Sequence, residues 1–136
     1  MEDLMLGIEI ALRQALNSQC RYKMGAVLAS GSRIFAAAPN KRRNSPTIDF
    51  RHSTFHAEEA VVRKVRRTSG REIYVARVDA SAHPALARPC RRCLTMLARA
   101  GIVRAYYTVS SDTIGVAVPP RGYCQPHEDA LLSWSF

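Results

Sequence analysis

Nowhere in the chain do eighteen apolar residues run together, so no helical membrane span is expected. Internal repeats, low-complexity tracts and linkers are also missing, and the reading is one domain over residues 1–136. Aromatic residues make up only 7% of the chain. Acids are outnumbered, with 11 Asp+Glu against 20 Lys+Arg and a net charge of +9. Lysine is scarce: Lys23, Lys41 and Lys64 are the whole set, so arginine carries the positive charge. A basic surface favours phosphate-bearing partners, either nucleotides or nucleic acid. An arginine-rich, solvated face would account for the charge equally well. The acidic start Met1-Glu2-Asp3 is unlike a secretory signal. Four cysteines without such a signal suggest a reducing compartment with free or metal-bound thiols, and a cytoplasmic location is expected. With 136 residues, 47% of them hydrophobic, the chain can bury a core without a disulfide or metal staple.

Leu4, Ile8, Ala11, Leu12, Ala15 and Leu16 recur at helical spacing and predict a helix over residues 3–17. Residues 24–29 and 34–38 read as two strands, with Ser30-Gly31-Ser32 as the hairpin turn. The polar stretch 39–54 has no periodicity, and its length suggests a functional loop. A second helix is expected from Ser53 or Thr54, either of which can cap it, to about Arg67. Residues 72–78 form a third strand. Pro89 is placed to open a third helix over residues 90–100, which Gly101 ends. Residues 102–109 and 113–118 suggest two more strands, and residues 128–134 a last helical turn or two. Strands and helices alternate after the hairpin, which predicts a mixed sheet with helices on its faces.

The chemistry gathers in His56-Ala57-Glu58 and Pro89-Cys90-Arg91-Arg92-Cys93. One His and two Cys are good zinc ligands. Three protein ligands leave a fourth position open for water, which is the arrangement of a catalytic site. Each ligand falls near a helix start, where partial positive charge favours thiolate over thiol. Zinc lowers the pKa of a bound water to about 7. Glu58 could take that proton and pass it to a ring nitrogen and then to departing ammonia. The H-x-E…P-C-x-x-C pattern is the signature of zinc-dependent nucleobase deaminases, which attack C4 of a cytosine-type ring or C6 of an adenine-type ring. A lone C-x-x-C would be weak, since it also suits half a structural zinc site or a redox pair. Both motifs in this order make the stronger case.

Other polar residues read more simply. Cys20, Cys124 and His127 are too few for a second zinc site. His52 and His83 sit in polar loops. Glu59 is expected to be structural, and Leu94, Leu97 and Ala98 to be core.

On these motifs the sequence resembles the cytidine deaminase superfamily, in the branch of deoxycytidylate deaminases and tRNA adenosine deaminases. The resemblance runs from about residue 10 to 109. It rests on Cys20-Arg21-Tyr-Lys-Met-Gly-Ala-Val-Leu-Ala, Arg33-Ile-Phe-Ala-Ala-Ala-Pro-Asn40, Phe55-His-Ala-Glu-Glu and Pro89-Cys-Arg-Arg-Cys. The segment Ala100-Gly-Ile-Val-Arg-Ala-Tyr-Tyr is similar to deoxycytidylate deaminases in particular. The resemblance implies an α/β fold, an α-β-α sandwich with a mixed five-stranded sheet. It implies zinc on His56, Cys90 and Cys93, with Glu58 as proton shuttle. It also implies that Asn40 and the backbone of Ala57 and Pro89 contact substrate, and that the protein is a homo-oligomer. The glycine-rich turn usual around the asparagine is replaced by Ala38-Pro39-Asn40-Lys41-Arg42-Arg43. After residue 109 the chain matches neither branch well.

Three functional readings follow. The first is deamination of a small-molecule nucleotide or nucleoside, with deoxycytidylate going to deoxyuridylate, where Arg42 and Arg43, with Lys41 and Arg51, hold the phosphate and Arg21 is a weaker candidate. The second is deamination of tRNA or single-stranded DNA, supported by the basic surface, with Phe50, Phe55 or Tyr107 as stacking candidates. The third keeps zinc for structure and uses the basic face to bind nucleic acid. Glu58 argues against it, because a structural zinc has no need of a spare carboxylate.

Overall fold

The computed structural model describes residues 2–42, 54–121 and 125–134. Helix α1 (Glu2–Leu16) leads into strands β1 (Lys23–Ser30) and β2 (Arg33–Pro39). Short strands β3 (Lys41–Arg42) and β4 (Thr54–Phe55) precede helix α2 (Ala57–Lys64). Then come β5 (Glu72–Val78), β6 (Pro84–Ala85), α3 (Arg91–Arg99), β7 (Arg104–Thr108), β8 (Thr113–Ala117) and β9 (Ala130–Ser133). The main sheet runs β2-β1-β5-β7-β8-β9, with β6 also beside β5. β5 and β7 are parallel, and every other pair is antiparallel. Helix α3 is the crossover that the parallel pair requires. No described helix is long and apolar enough to cross a membrane.

Period-two alternation along the strands builds two cores. Val27 and Ala29 on β1 and Tyr74, Ala76 and Val78 on β5 face α1, where Ile8, Ala11, Leu12 and Ala15 meet them. Ala26, Leu28, Ile73 and Val75 face the other way, against Val61 of α2 and Leu94 and Leu97 of α3. Each fully buried aliphatic side chain contributes about 1.5–3 kcal/mol. Gly25 lets α1 approach β1 closely: a Cβ there would meet the Ala11 carbonyl oxygen and the Ala15 amide, both backbone. Gly25→Ala is therefore expected to cost about 1–3 kcal/mol or more through overpacking. A denaturant midpoint equal to that of the parent would refute the close approach.

The layered α/β fold matches expectation, with four corrections. The sheet has seven strands and not five, because β6 and β9 add to it. Residues 130–133 form β9, where a helical turn was expected. The outer edge of β8 offers backbone donors and acceptors that a strand satisfies and a helix does not. Thr54 does not cap α2. Thr54 and Phe55 pair with Arg42 and Lys41, and the helix starts after them. It also ends at Lys64, earlier than expected, because Val65 is extended (φ −118, ψ 131) and packs against the core. Helix α3 ends as expected: Gly101 takes φ 79, which glycine adopts without a Cβ clash.

Candidate metal and active site

His56 and Cys90 occupy equivalent places, each the residue before the first turn of a helix. His56 has extended backbone (φ −64, ψ 142), and its side chain makes no capping bond. Its carbonyl accepts from Ala60 (3.1 Å), so the backbone starts the helix and the imidazole is left for other work. Cys90 caps α3 with its sulfur, which accepts from the Cys93 amide at 3.5 Å. Pro89 thus precedes the cap and does not occupy the first helical position as expected. Cys93 follows one turn later and is fully buried.

The three side chains converge. His56 Nδ1 lies 3.2 Å from Cys93 Sγ and 4.0 Å from Cys90 Sγ. All three ligand atoms fall within 4.8 Å of one another, the one such cluster among the described residues. A tetrahedral zinc places its N and S ligands roughly 3.5 Å apart, so the donor set fits that ion. The Cys90 thiol is pulled down to about 3, first by the Cys93 side chain and then by His56. Cys93 is pushed up, by the Cys90 sulfur and then by burial. One thiolate is therefore ready-made, and the other forms when a cation displaces its proton. His56 is raised, chiefly by its bond to Cys90.

Glu58 stands on the first turn of α2, 2% exposed. Its Oε1 is buried and has no hydrogen-bond partner among the described residues. Burial lifts its carboxyl above the usual range, opposed by its own backbone amide and by His56. A buried carboxyl oxygen without a partner is costly for the fold, and the same side chain also bonds Cys93. Such a carboxyl is what proton transfer at an adjacent ligand needs. Glu59, next along, instead pairs with Arg92 at 2.8 Å, the structural role expected for it.

Asn40 is buried at the end of β2. Its Oδ1 accepts from Ser18 Oγ (2.5 Å) and from the Met24 amide (3.1 Å). Its Nδ2 donates to the Tyr22 carbonyl (2.7 Å). Asn40 thus ties residues 18–22 to the sheet, and its second side-chain N–H has no partner among the described residues. Ala57, which follows His56, and Pro89, which precedes Cys90, are both buried. The Arg42 side chain, Arg43, Phe50, Arg51, His52 and Cys124 lie outside the described residues, as does the side chain of Phe55. Tyr107 is core, and its hydroxyl donates to Asp129 at 2.5 Å, so it is no stacking platform. Cys20 is buried, while His83 and His127 are exposed.

The fold places one feature here that sequence reading missed. Arg88, next to Pro89 and Cys90, bonds Asp129 through Nε at 2.7 Å, with side chains 10% and 5% exposed. The C-terminal segment thereby anchors the loop that carries a metal ligand. Nothing in a single sequence marks a pair separated by 41 residues.

The model of the cytidine and deoxycytidylate deaminase zinc-binding region matches residues 1–109. The chain belongs to this family. The zinc-binding region of the family thus covers the His56, Cys90 and Cys93 cluster. The dCMP deaminase from the cyanophage S-TIM5 in apo form has a similar structure: 23% identity over 78% of this chain and 82% of that one, TM-score 0.62. The same enzyme in complex with dCMP and dUMP is 22% identical over 78% of each chain, TM-score 0.54. Cytidine deaminase from Burkholderia pseudomallei is 16% identical over 88% of this chain and 98% of that one, TM-score 0.66. The TM-scores show a shared fold. No curated protein sequence matches the chain.

Proposed function

We propose that this deaminase-family protein catalyses zinc-dependent hydrolytic deamination of a cytosine-type nucleotide or nucleoside, with deoxycytidylate as the leading substrate. The observation that carries the reading is the buried, unpartnered Glu58 Oε1 beside the His56, Cys90 and Cys93 cluster. His56, Cys90 and Cys93 would hold the zinc, which when bound supplies Lewis acidity for the attack of water. Glu58 takes a proton from the attacking water and places it on ring N3. It then carries the second proton to the exocyclic amine. The C4–O bond forms, the C4–N bond breaks, and ammonia leaves. A carboxyl shielded from bulk water can act in turn as base and as acid.

The backbone of Ala57 and Pro89 flanks the ligand cluster and is proposed to hold the base. Asn40 has one N–H left for substrate. Arg42 and Arg43 are proposed as phosphate contacts on the loop that follows. The likeness to an enzyme solved with dCMP and dUMP supports a nucleotide substrate. A polynucleotide substrate is the second reading. It draws on the +9 charge and on exposed Lys64, Arg66, Arg67 and Arg99.

The test is ammonia release by zinc-loaded protein given deoxycytidylate, single-stranded DNA or tRNA at rising salt. Release from deoxycytidylate that varies little with salt is the expected result. Release from a polymer alone, falling steeply with salt through counterion release, would replace the first reading with the second.

A further inference from the structure

Arg77 is a charge on the sheet face that packs against α2 and α3. Ile73 and Val75, earlier on β5, are fully buried in that core. Strand alternation puts Arg77 on the same face. It pairs in register with Met24 on β1, and the Met24 carbonyl accepts the Asn40 amide. Beyond Asn40, Lys41 pairs with Phe55, the residue before His56. Arg77 therefore stands at the end of the sheet where the metal ligands gather. It is two strands from Asn40, about 10 Å across the sheet, a distance comparable with the length of one nucleotide.

Its side chain is oriented but incompletely bonded. The guanidinium lies over the Tyr22 ring, 5.2 Å from the centroid. Tyr22 is 60% exposed, so this pair sits at an open rim. Arg77 Nε is buried and has no hydrogen-bond partner among the described residues. A guanidinium donor withdrawn from water calls for an acceptor. The planar fork of donors matches phosphate oxygens, and stacking on an aromatic ring holds the fork in place.

We propose that Arg77, steadied by Tyr22, receives the 5′-phosphate of a nucleoside monophosphate whose base lies at the His56, Cys90 and Cys93 site. This assigns Arg77 as the residue that makes the enzyme prefer nucleotide over nucleoside. It rests on the deaminase reading and adds a phosphate contact from the sheet itself, besides the loop arginines.

The test compares kcat/KM for deoxycytidylate and deoxycytidine in the parent, Arg77→Gln and Arg77→Lys. Losing a charge-assisted contact should lower the nucleotide preference of Arg77→Gln about 10- to 100-fold. Arg77→Lys keeps the charge without the fork, so it should lose less. A preference unchanged in both variants would overturn the assignment, even if overall activity fell. The same ligands titrated into zinc-loaded Glu58→Ala protein separate this idea from the deaminase reading. If the parent releases no ammonia but the Glu58→Ala protein binds deoxycytidylate tightly only while Arg77 is present, the deaminase reading fails and the phosphate site stands. Equal binding of nucleotide and nucleoside would sink the phosphate site.

Discussion

Glu58→Gln is expected to slow ammonia release from deoxycytidylate by roughly 10²- to 10⁴-fold, the range for loss of a positioned acid-base group. Zinc content should stay at the parent level, because Glu58 is outside the three-ligand cluster. The substitution keeps side-chain shape and removes only the ability to take up and release the proton. Stability should change little, since glutamine keeps an acceptor oxygen and burial already penalises the charged carboxylate. Rate and metal content measured on one preparation decide the matter. Parent-level release by the variant would remove Glu58 from the mechanism. Loss of zinc with loss of rate would make it a ligand or a support and not a proton shuttle.

Asp129→Ala should have the second large effect, on stability. Arg88 and Asp129 form an ion pair that is almost fully buried, and Tyr107 donates to the same carboxylate. Removing one partner of a buried ion pair costs about 3–5 kcal/mol. For a domain of this size that is a fall of roughly 10–17 °C in Tm. The damage comes from breaking the pair on one side only, so Arg88→Met combined with Asp129→Leu should be less damaged than Asp129→Ala alone. Thermal unfolding of the three proteins checks this. A double variant that unfolds at or below the Tm of Asp129→Ala would mean that the two side chains are independently packed and not coupled. Zinc affinity should weaken in Asp129→Ala as well, because Arg88 holds the residues that lead to Cys90.

Much of this protein could be read from residues alone, and the limit has a physical cause. His56, Glu58, Cys90 and Cys93 were legible because metal and proton chemistry needs those residue types at short, fixed spacings. Helix α1, the β1–β2 hairpin and β5 were legible because their apolar periods are local and undisturbed. Ala130-Leu131-Leu132 was misread because two adjacent leucines fit either period. The open edge of β8, brought there by the fold, decided for a strand. Thr54 was misread as a cap because its pairing partner, Arg42, is remote in sequence. Likewise, Asn40 was legible as a residue of interest, but its bonds to Ser18, Tyr22 and Met24 were not. Arg77 could have been noticed as the lone cation inside the run Ile73–Val78, yet only strand register carries it to the catalytic end of the sheet. Arg88 and Asp129 have no local signal at all. The candidate ligands, the carboxylate beside them and the alternation of strands and helices were legible locally, because these depend on neighbours a few residues apart. The tertiary structure alone decided which distant charges meet and which edges are covered, because those energies arise from desolvation and backbone pairing across the chain.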